Sequence, residues 1–328
     1  MIKTFDLSCV QAVGKDANLL LIEINNLYYY LDKLGNISGG FSYATDYSEG
    51  YAVVMVDNLF YFRDIYGNLS KNGYKKAWGF KEGFGAVQIE NSWHFLDKNF
   101  KLSKPFDRVG LFKNGYGKVF DKGLWFYYDK FGNLSKNGRS LISSFYEGIA
   151  FFKQGEEYFF VDENGNVSSD SYKKIDGLGF TNGYMAVVVG DKWFLRDKFG
   201  VLHTKGYDRL GRYKNQLVSA FEDGKWFFVD INDKKSKPFE DVKDFSEGFG
   251  LVKIKKWHYI DSNKKIIKKG FDDASSFKDG FAEVVDNQVK FYIDANFVSY
   301  SKEEYIKKRI CDFLGYDVPF LKLNEIEI

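Results

Sequence analysis

A four-residue phrase returning every 32 to 35 residues constrains this chain more than any other feature. It reads Tyr47-Ser48-Glu49-Gly50, Phe80-Lys81-Glu82-Gly83, Phe112-Lys113-Asn114-Gly115, Phe145-Tyr146-Glu147-Gly148, Phe180-Thr181-Asn182-Gly183, Phe245-Ser246-Glu247-Gly248 and Phe277-Lys278-Asp279-Gly280, with Tyr213-Lys214-Asn215-Gln216 as a degenerate copy. A second ladder keeps step: Asp32, Asp64, Asp97, Asp129, Asp162, Asp197, Asp230, Asp261 and Asp294, each closing a mostly aromatic run such as Trp125-Phe126-Tyr127-Tyr128-Asp129. A unit of this length cannot bury its own apolar face, so such units must stack on their neighbours. The chain therefore reads as nine tandem units over residues 1–300, one continuous repeat domain, followed by a capping segment over 301–328.

Within a unit the pattern is hairpin grammar. Residues 249–254 predict a first strand, 256–261 a second after a tight turn, and Ile266-Ile267 the start of a third. The second turn is Asp-x-x-Gly-Asn at 32–36, 64–68, 129–133 and 162–166. There Asp accepts backbone N–H groups and Gly supplies a positive φ. The second strand is aromatic on both faces and predicts the core, with the residue four before each Asp (Trp93, Trp125, Trp193, Trp226, Trp257) as the spine between units. The expected fold is all-β: three-stranded repeats in an open curved or superhelical array. The alternative is an eight- or nine-bladed β-propeller, with a short fourth strand around 271–277. Ser301 with Glu304 forms a capping-box pattern, Ile306, Ile310, Phe313 and Leu314 form a helical stripe, and Gly315 stops it. This helix is expected to cover the last unit, where Lys290 stands in place of a spine aromatic, and 316–328 to run on extended.

The pattern Phe-x-Glu-Gly-x-(Ala/Gly)-x-Val, then Trp-x-(Tyr/Phe)-x-Asp-x-x-Gly, clearest at 80–97 and 245–261, resembles the bacterial WG-repeat family over roughly residues 5–300. The Gly after Trp is replaced by His94, Phe126, Phe194, Phe227 and His258, and Trp78-Gly79 keeps the dipeptide out of register. The resemblance implies a repetitive β-scaffold and carries over no catalytic residue. A weaker likeness to choline- or glucan-binding repeats rests on 125–129 with Gly132, but those units are shorter.

Composition narrows function by exclusion. Aromatic residues at 19% rule out a disordered chain. Cys9 and Cys311, at opposite ends, exclude a disulfide scaffold and a four-cysteine zinc site and are expected to be reduced thiols. His94 and His258 share one repeat position and His203 follows a turn, so no metal spacing arises and none of the usual catalytic motifs is present. The formal charge of +2 gives no global pull towards nucleic acid. The candidate binding residues form a lysine ladder seven positions after the Asp: Lys71, Lys104, Lys136, Lys237 and Lys268, with Lys205 shifted by one. Lys75 and Lys76 thicken it beside Trp78, an aromatic off the spine, and Glu49, Glu82, Glu147, Glu247 and Asp279 form an acidic counterpart expected to pair between repeats. The expectation is a non-catalytic scaffold for a protein partner, without cofactor or metal. The alternatives are RNA or RNA–protein binding through the lysines, and glycan or cell-wall binding through the aromatics. With no secretory pattern at 1–6 and no run near the length of a membrane span, a cytoplasmic, membrane-free protein is expected.

Overall fold

The computed structural model describes residues 3–6, 10–13, 19–267, 270–317 and 320–323. Among them lie nine small β-sheets and one helix, so the all-β reading holds. Each sheet is built on an antiparallel hairpin of the predicted first and second strands. Phe84–Ile89 pairs with Ser92–Asp97, with Phe84 opposite Asp97 and Ile89 opposite Ser92. Tyr184–Val189 with Lys192–Asp197 and Phe281–Asp286 with Val289–Asp294 follow the same pattern. β-Branched and aromatic residues favour these pleated, buried strands.

The outer positions vary. A strand before the motif pairs with the first strand: it is long at Lys76–Lys81, Arg108–Lys113 and Asp241–Ser246, and two residues long at Leu141–Ile142, Arg209–Leu210 and Asp273–Ala274. The short strand suspected within 271–277 is therefore real. The third strand reaches six residues at Asn36–Phe41, Val167–Tyr172 and Leu202–Tyr207. It is two residues long at Ser299–Tyr300 and elsewhere shrinks to bridges such as Leu96 opposite Leu102.

The spine lies two residues from where the tryptophans predict it. Residues two before the Asp, among them Tyr30, Phe62, Phe95, Phe160, Phe228 and Tyr259, are sealed, as are the motif residues Phe80, Phe112, Phe180, Phe245 and Phe277. Each of the former meets the motif aromatic of the next repeat, with ring centroids 4.9 Å apart for Tyr30–Tyr47, 5.1 Å for Phe62–Phe80, 4.8 Å for Phe95–Phe112 and 5.0 Å for Phe228–Phe245. Apart from Trp257 these tryptophans are half-buried, because they flank the hairpin turn and stack on an aromatic of their own sheet. Trp93 on Trp78 (4.6 Å) and Trp125 on Phe120 (5.2 Å) are examples.

Contacts divide the chain into one unit of residues 1–136 with 302–328 and a second of 137–301. In the first, the helix Lys302–Leu314 buries Ile306, Ile310 and Leu314 against Leu20, Ile22, Leu31 and Ile37 of repeat 1. The stripe is the predicted one, but its seat is repeat 1 and not the ninth. Repeat 1 offers an apolar face over Leu20–Ile24, whereas Lys290 is exposed and paired with Glu283 at 2.9 Å. Gly315 ends the helix at φ 81°, its N–H bonded to the Cys311 carbonyl at 2.8 Å. Strand Phe320–Leu323 then enters the first sheet, antiparallel to Lys3–Asp6 and parallel to Asn36–Phe41. The rest of the extended tail, 318–319 and 324–328, and Cys9 lie outside the described residues. No helix among these residues is long and apolar enough to cross a membrane.

Candidate functional site

The motif is a two-residue hairpin turn. Glu82 and Gly83 both take positive φ, 50° and 87°, the mirror-image turn that matches strand twist. Glutamate is a poor residue for that region, whereas Asn114, Asn182 and Asn215 at the same position suit it. The glutamates are explained by what they hold. The Glu82 carboxylate accepts the N–H groups of Asn114 and Gly115, both at 2.7 Å, in the turn of the next repeat. Glu147 holds Asn182 and Gly183 (2.7 and 2.6 Å), Glu247 holds Asp279 and Gly280 (both 2.8 Å), and Glu49 holds Gly83 (2.9 Å). The four glutamates are thus inter-repeat clasps on backbone amides, and Glu49 in addition pairs with Lys98 at 3.3 Å, a lysine outside the ladder.

The Asp ladder does what a turn cap does. Asp64 Oδ1 accepts the N–H groups of Tyr66 (2.9 Å) and Asn68 (2.8 Å), and Oδ2 accepts the Asn68 amide (2.9 Å). Burial pushes its carboxyl up, but these bonds outweigh burial and hold it below the usual range. Capture of the Tyr66 N–H fixes the following side chain outward. Leu34, Tyr66, Phe131 and Phe199, all at this position before a turn glycine, are 79%, 84%, 78% and 81% exposed. An inward site for an aromatic exists one residue later. Phe100, where other copies have Gly, turns in against Tyr51 (5.5 Å) and Phe62 (5.9 Å), and Phe297 does the same against Tyr259 (5.5 Å). The signal was legible, because an apolar residue between the Asp and Gly of a tight turn has no strand face to retreat to.

The lysines divide. Lys71, Lys104, Lys136 and Lys237 are exposed, and among the described residues no acidic side chain pairs with them. Lys75 and Lys76 are exposed as well, and Lys76 shares the open face of its strand with Trp78, which is 38% exposed against Trp93. Lys205 departs from the series, since Glu222 binds its ammonium at 2.8 Å. Lys268 lies outside the described residues.

Two buried arginines escaped sequence reading. Arg196, 2% exposed, bonds the Asp170 carboxylate twice (2.6 and 2.8 Å) and lies 4.1 Å from the Phe160 ring. Burial pushes the Asp170 carboxyl up, and the guanidinium outweighs this to hold it below the usual range. Among the described residues Arg63, 3% exposed, has no acidic partner; it bonds the hydroxyls of Tyr47 and Ser38 and lies 4.9 Å from the Tyr30 ring. Beside Arg196 opens a cleft of ≈480 Å³, along strand Val167–Tyr172 and under Phe199, with Glu147, Asp162 and Asp170 in its wall.

His203 bonds Asp197 at 3.0 Å and His94 the Ser103 carbonyl at 2.9 Å, both turn-closing contacts. Among the described residues no group of His, Cys, Asp and Glu is placed to hold a metal ion.

The chain is similar in fold to the propeller-like structure of a eukaryotic initiation factor: 12% identity, 80% of this chain and 88% of that one, TM-score 0.50. BamB from Moraxella catarrhalis (12% identity, 68% and 81% covered, TM-score 0.36) and a streptogramin B lyase (13%, 72% and 96%, TM-score 0.31) are more distant. Among curated proteins none matches the sequence. The family model for the WG containing repeat matches residues 30–60, from the Tyr30 spine position to the second strand of repeat 2, and 259–288 in the other unit. The capped Asp turn recurs nine times and the motif turn eight, one copy degenerate, and together with the two matches they support assignment of these repeats to the WG-repeat family.

Proposed function

We propose that this chain is a non-catalytic repeat scaffold that binds a protein partner through its turn tips. The observation that carries the reading is the set of four outward apolar side chains, Leu34, Tyr66, Phe131 and Phe199, carried on turns whose backbone N–H groups are held by the Asp caps. A preordered turn reduces the backbone entropy lost on binding, and aromatic side chains such as Tyr66, Phe131 and Phe199 are frequent energetic centres of protein interfaces. A protein partner also suits the balanced charge, and a cytoplasmic location suits the reading. Of the open array and the propeller, likeness to a propeller-like structure supports the propeller.

The test is affinity capture from host lysate with the wild-type chain and with Tyr66→Asp/Phe131→Asp, followed by titration of the captured partner. The expected result is a stoichiometric partner whose affinity falls at least about tenfold in the variant, as the loss of one interface centre implies. Equal capture by both chains overturns it. The lysines of repeats 2, 3, 4 and 7 that lack acidic partners favour a second reading, RNA binding. That reading requires an affinity for single-stranded RNA that falls steeply with salt and with Lys71→Glu/Lys104→Glu/Lys136→Glu.

A further inference from the structure

A full third strand ends its sheet with a row of backbone N–H and C=O groups that invites another strand unless something covers it. In repeat 1 the cover is the chain itself. Phe320–Leu323 runs parallel to Asn36–Phe41, with Lys322 opposite Asn36 and Leu323 opposite Ile37. In repeat 6 it is Asp233, which accepts the Lys205 N–H at 2.7 Å and the Tyr207 hydroxyl at 2.9 Å along Leu202–Tyr207. In repeat 5 strand Val167–Tyr172 is the last of its sheet, and the cleft of ≈480 Å³ lies alongside it. Asn166 and Val167, both in the cleft wall, hold the repeat positions that Asn36 and Ile37 hold in repeat 1.

The cleft's carboxylates and its arginine are already engaged: Glu147 clasps the next turn, Asp162 caps its own, and Asp170 is bound by Arg196, while Lys198 lies exposed at the rim with its ammonium 5.0 Å from the Phe199 ring. What else faces solvent is the strand edge and an apolar rim of Val167 and Phe199, 50% and 81% exposed. That combination does not suit a small polar ligand; it suits an extended chain that pairs through its backbone and places an apolar side chain on the rim.

We infer that the repeat-5 cleft takes up an extended segment of a protein partner, which adds to Val167–Tyr172 as an outer strand, as the chain's own terminus adds to Asn36–Phe41. This rests on the protein-binding reading and specifies one mode of contact. The probe is a fluorescein-labelled peptide of residues 319–328 of this chain, titrated with the full chain, alongside versions N-methylated at successive backbone nitrogens. Strand addition leaves alternate N–H groups pointing away from the edge, so N-methylation weakens binding by about tenfold at every second position and is tolerated between. Phe199→Asp, an exposed change that leaves the thermal midpoint in place, weakens the probe similarly; Ser169→Pro, on the edge itself, removes it.

The inference is overturned if the probe shows no saturable binding, if N-methylation acts without alternation, or if Phe199→Asp binds the probe as the wild type does. Failure here with loss of partner binding in Tyr66→Asp/Phe131→Asp sinks the edge and leaves the scaffold reading standing. The reverse pattern sinks the turn tips and leaves the edge.

Discussion

The junction of repeats 1 and 2 and the junction of repeats 5 and 6 use one device in two ways. Each inserts an arginine, Arg63 or Arg196, over an aromatic ring of the preceding repeat. At the second junction Asp170 answers the charge; at the first only two hydroxyls and a ring do. The strand beside Arg63 is covered by the chain's terminus, whereas the strand beside Arg196 borders an open cleft. The difference teaches that equivalent repeat positions serve different ends. Repeat 1 is closed by the chain's own last segment, and repeat 5 leaves its equivalent edge available.

Removing residues 302–328 breaks this comparison most severely. Repeat 1 then loses three buried helix residues and a neighbouring strand. Hydrogen exchange is expected to show protection lost across residues 20–41 and kept across 149–162. Ile310→Ala alone should cost about 2–5 kcal/mol. Equal loss in both segments refutes the assignment of the terminus to repeat 1.

Next in size is the arginine pair. Asp170→Ala leaves Arg196 buried and unanswered, and should cost about 2–3 kcal/mol, below the fully buried range because Asp170 is partly exposed. Arg63→Met removes a charge with no ionic partner and should cost about 1 kcal/mol or less. Urea midpoints decide, and equal costs would erase the distinction between the two junctions.

The clasp gives a smaller effect. Glu147→Gln keeps the shape but exchanges a charged acceptor for a neutral one, and should cost about 1 kcal/mol. Asn182→Asp, at a position that makes no onward clasp among the described residues, is expected to be near neutral by the same measurement.

The pH dependence is the finest test. The carboxyls of Asp64, Asp129, Asp162, Asp170, Asp197 and Asp230 are all held below their usual range. Groups depressed by folding contribute stability that is fully present above their unfolded pKa and is lost as pH falls through the folded one. Urea midpoints should therefore be flat above about pH 5 and decline below about pH 4. Asp170→Asn should lessen the decline; a midpoint rising on acidification contradicts the account.

Much of this was legible because repetition turns local chemistry into long-range order. The Asp turns, the motif turn and the aromatic second strands could be placed residue by residue, since each depends on φ, hydrogen bonds and strand alternation within a few residues. The tryptophans misled because their size suggested a spine, whereas depth is decided by distance from the hairpin turn. The glutamates were legible as a series but not as clasps, because an acid's partner one repeat away is set by stacking.

By itself the sequence determined a repeated β unit, its turns, its buried aromatic strand and a C-terminal helix with one apolar face. An apolar stripe states that a helix packs and leaves open on what. Only tertiary structure seated that helix and the strand after it on repeat 1, paired Arg196 with Asp170 and left Val167–Tyr172 as the last strand of its sheet among the described residues. These outcomes depend on which surfaces meet, 26 residues apart for Arg196 and Asp170 and nearly the length of the chain for the helix and strand, and no local period in the chain encodes that.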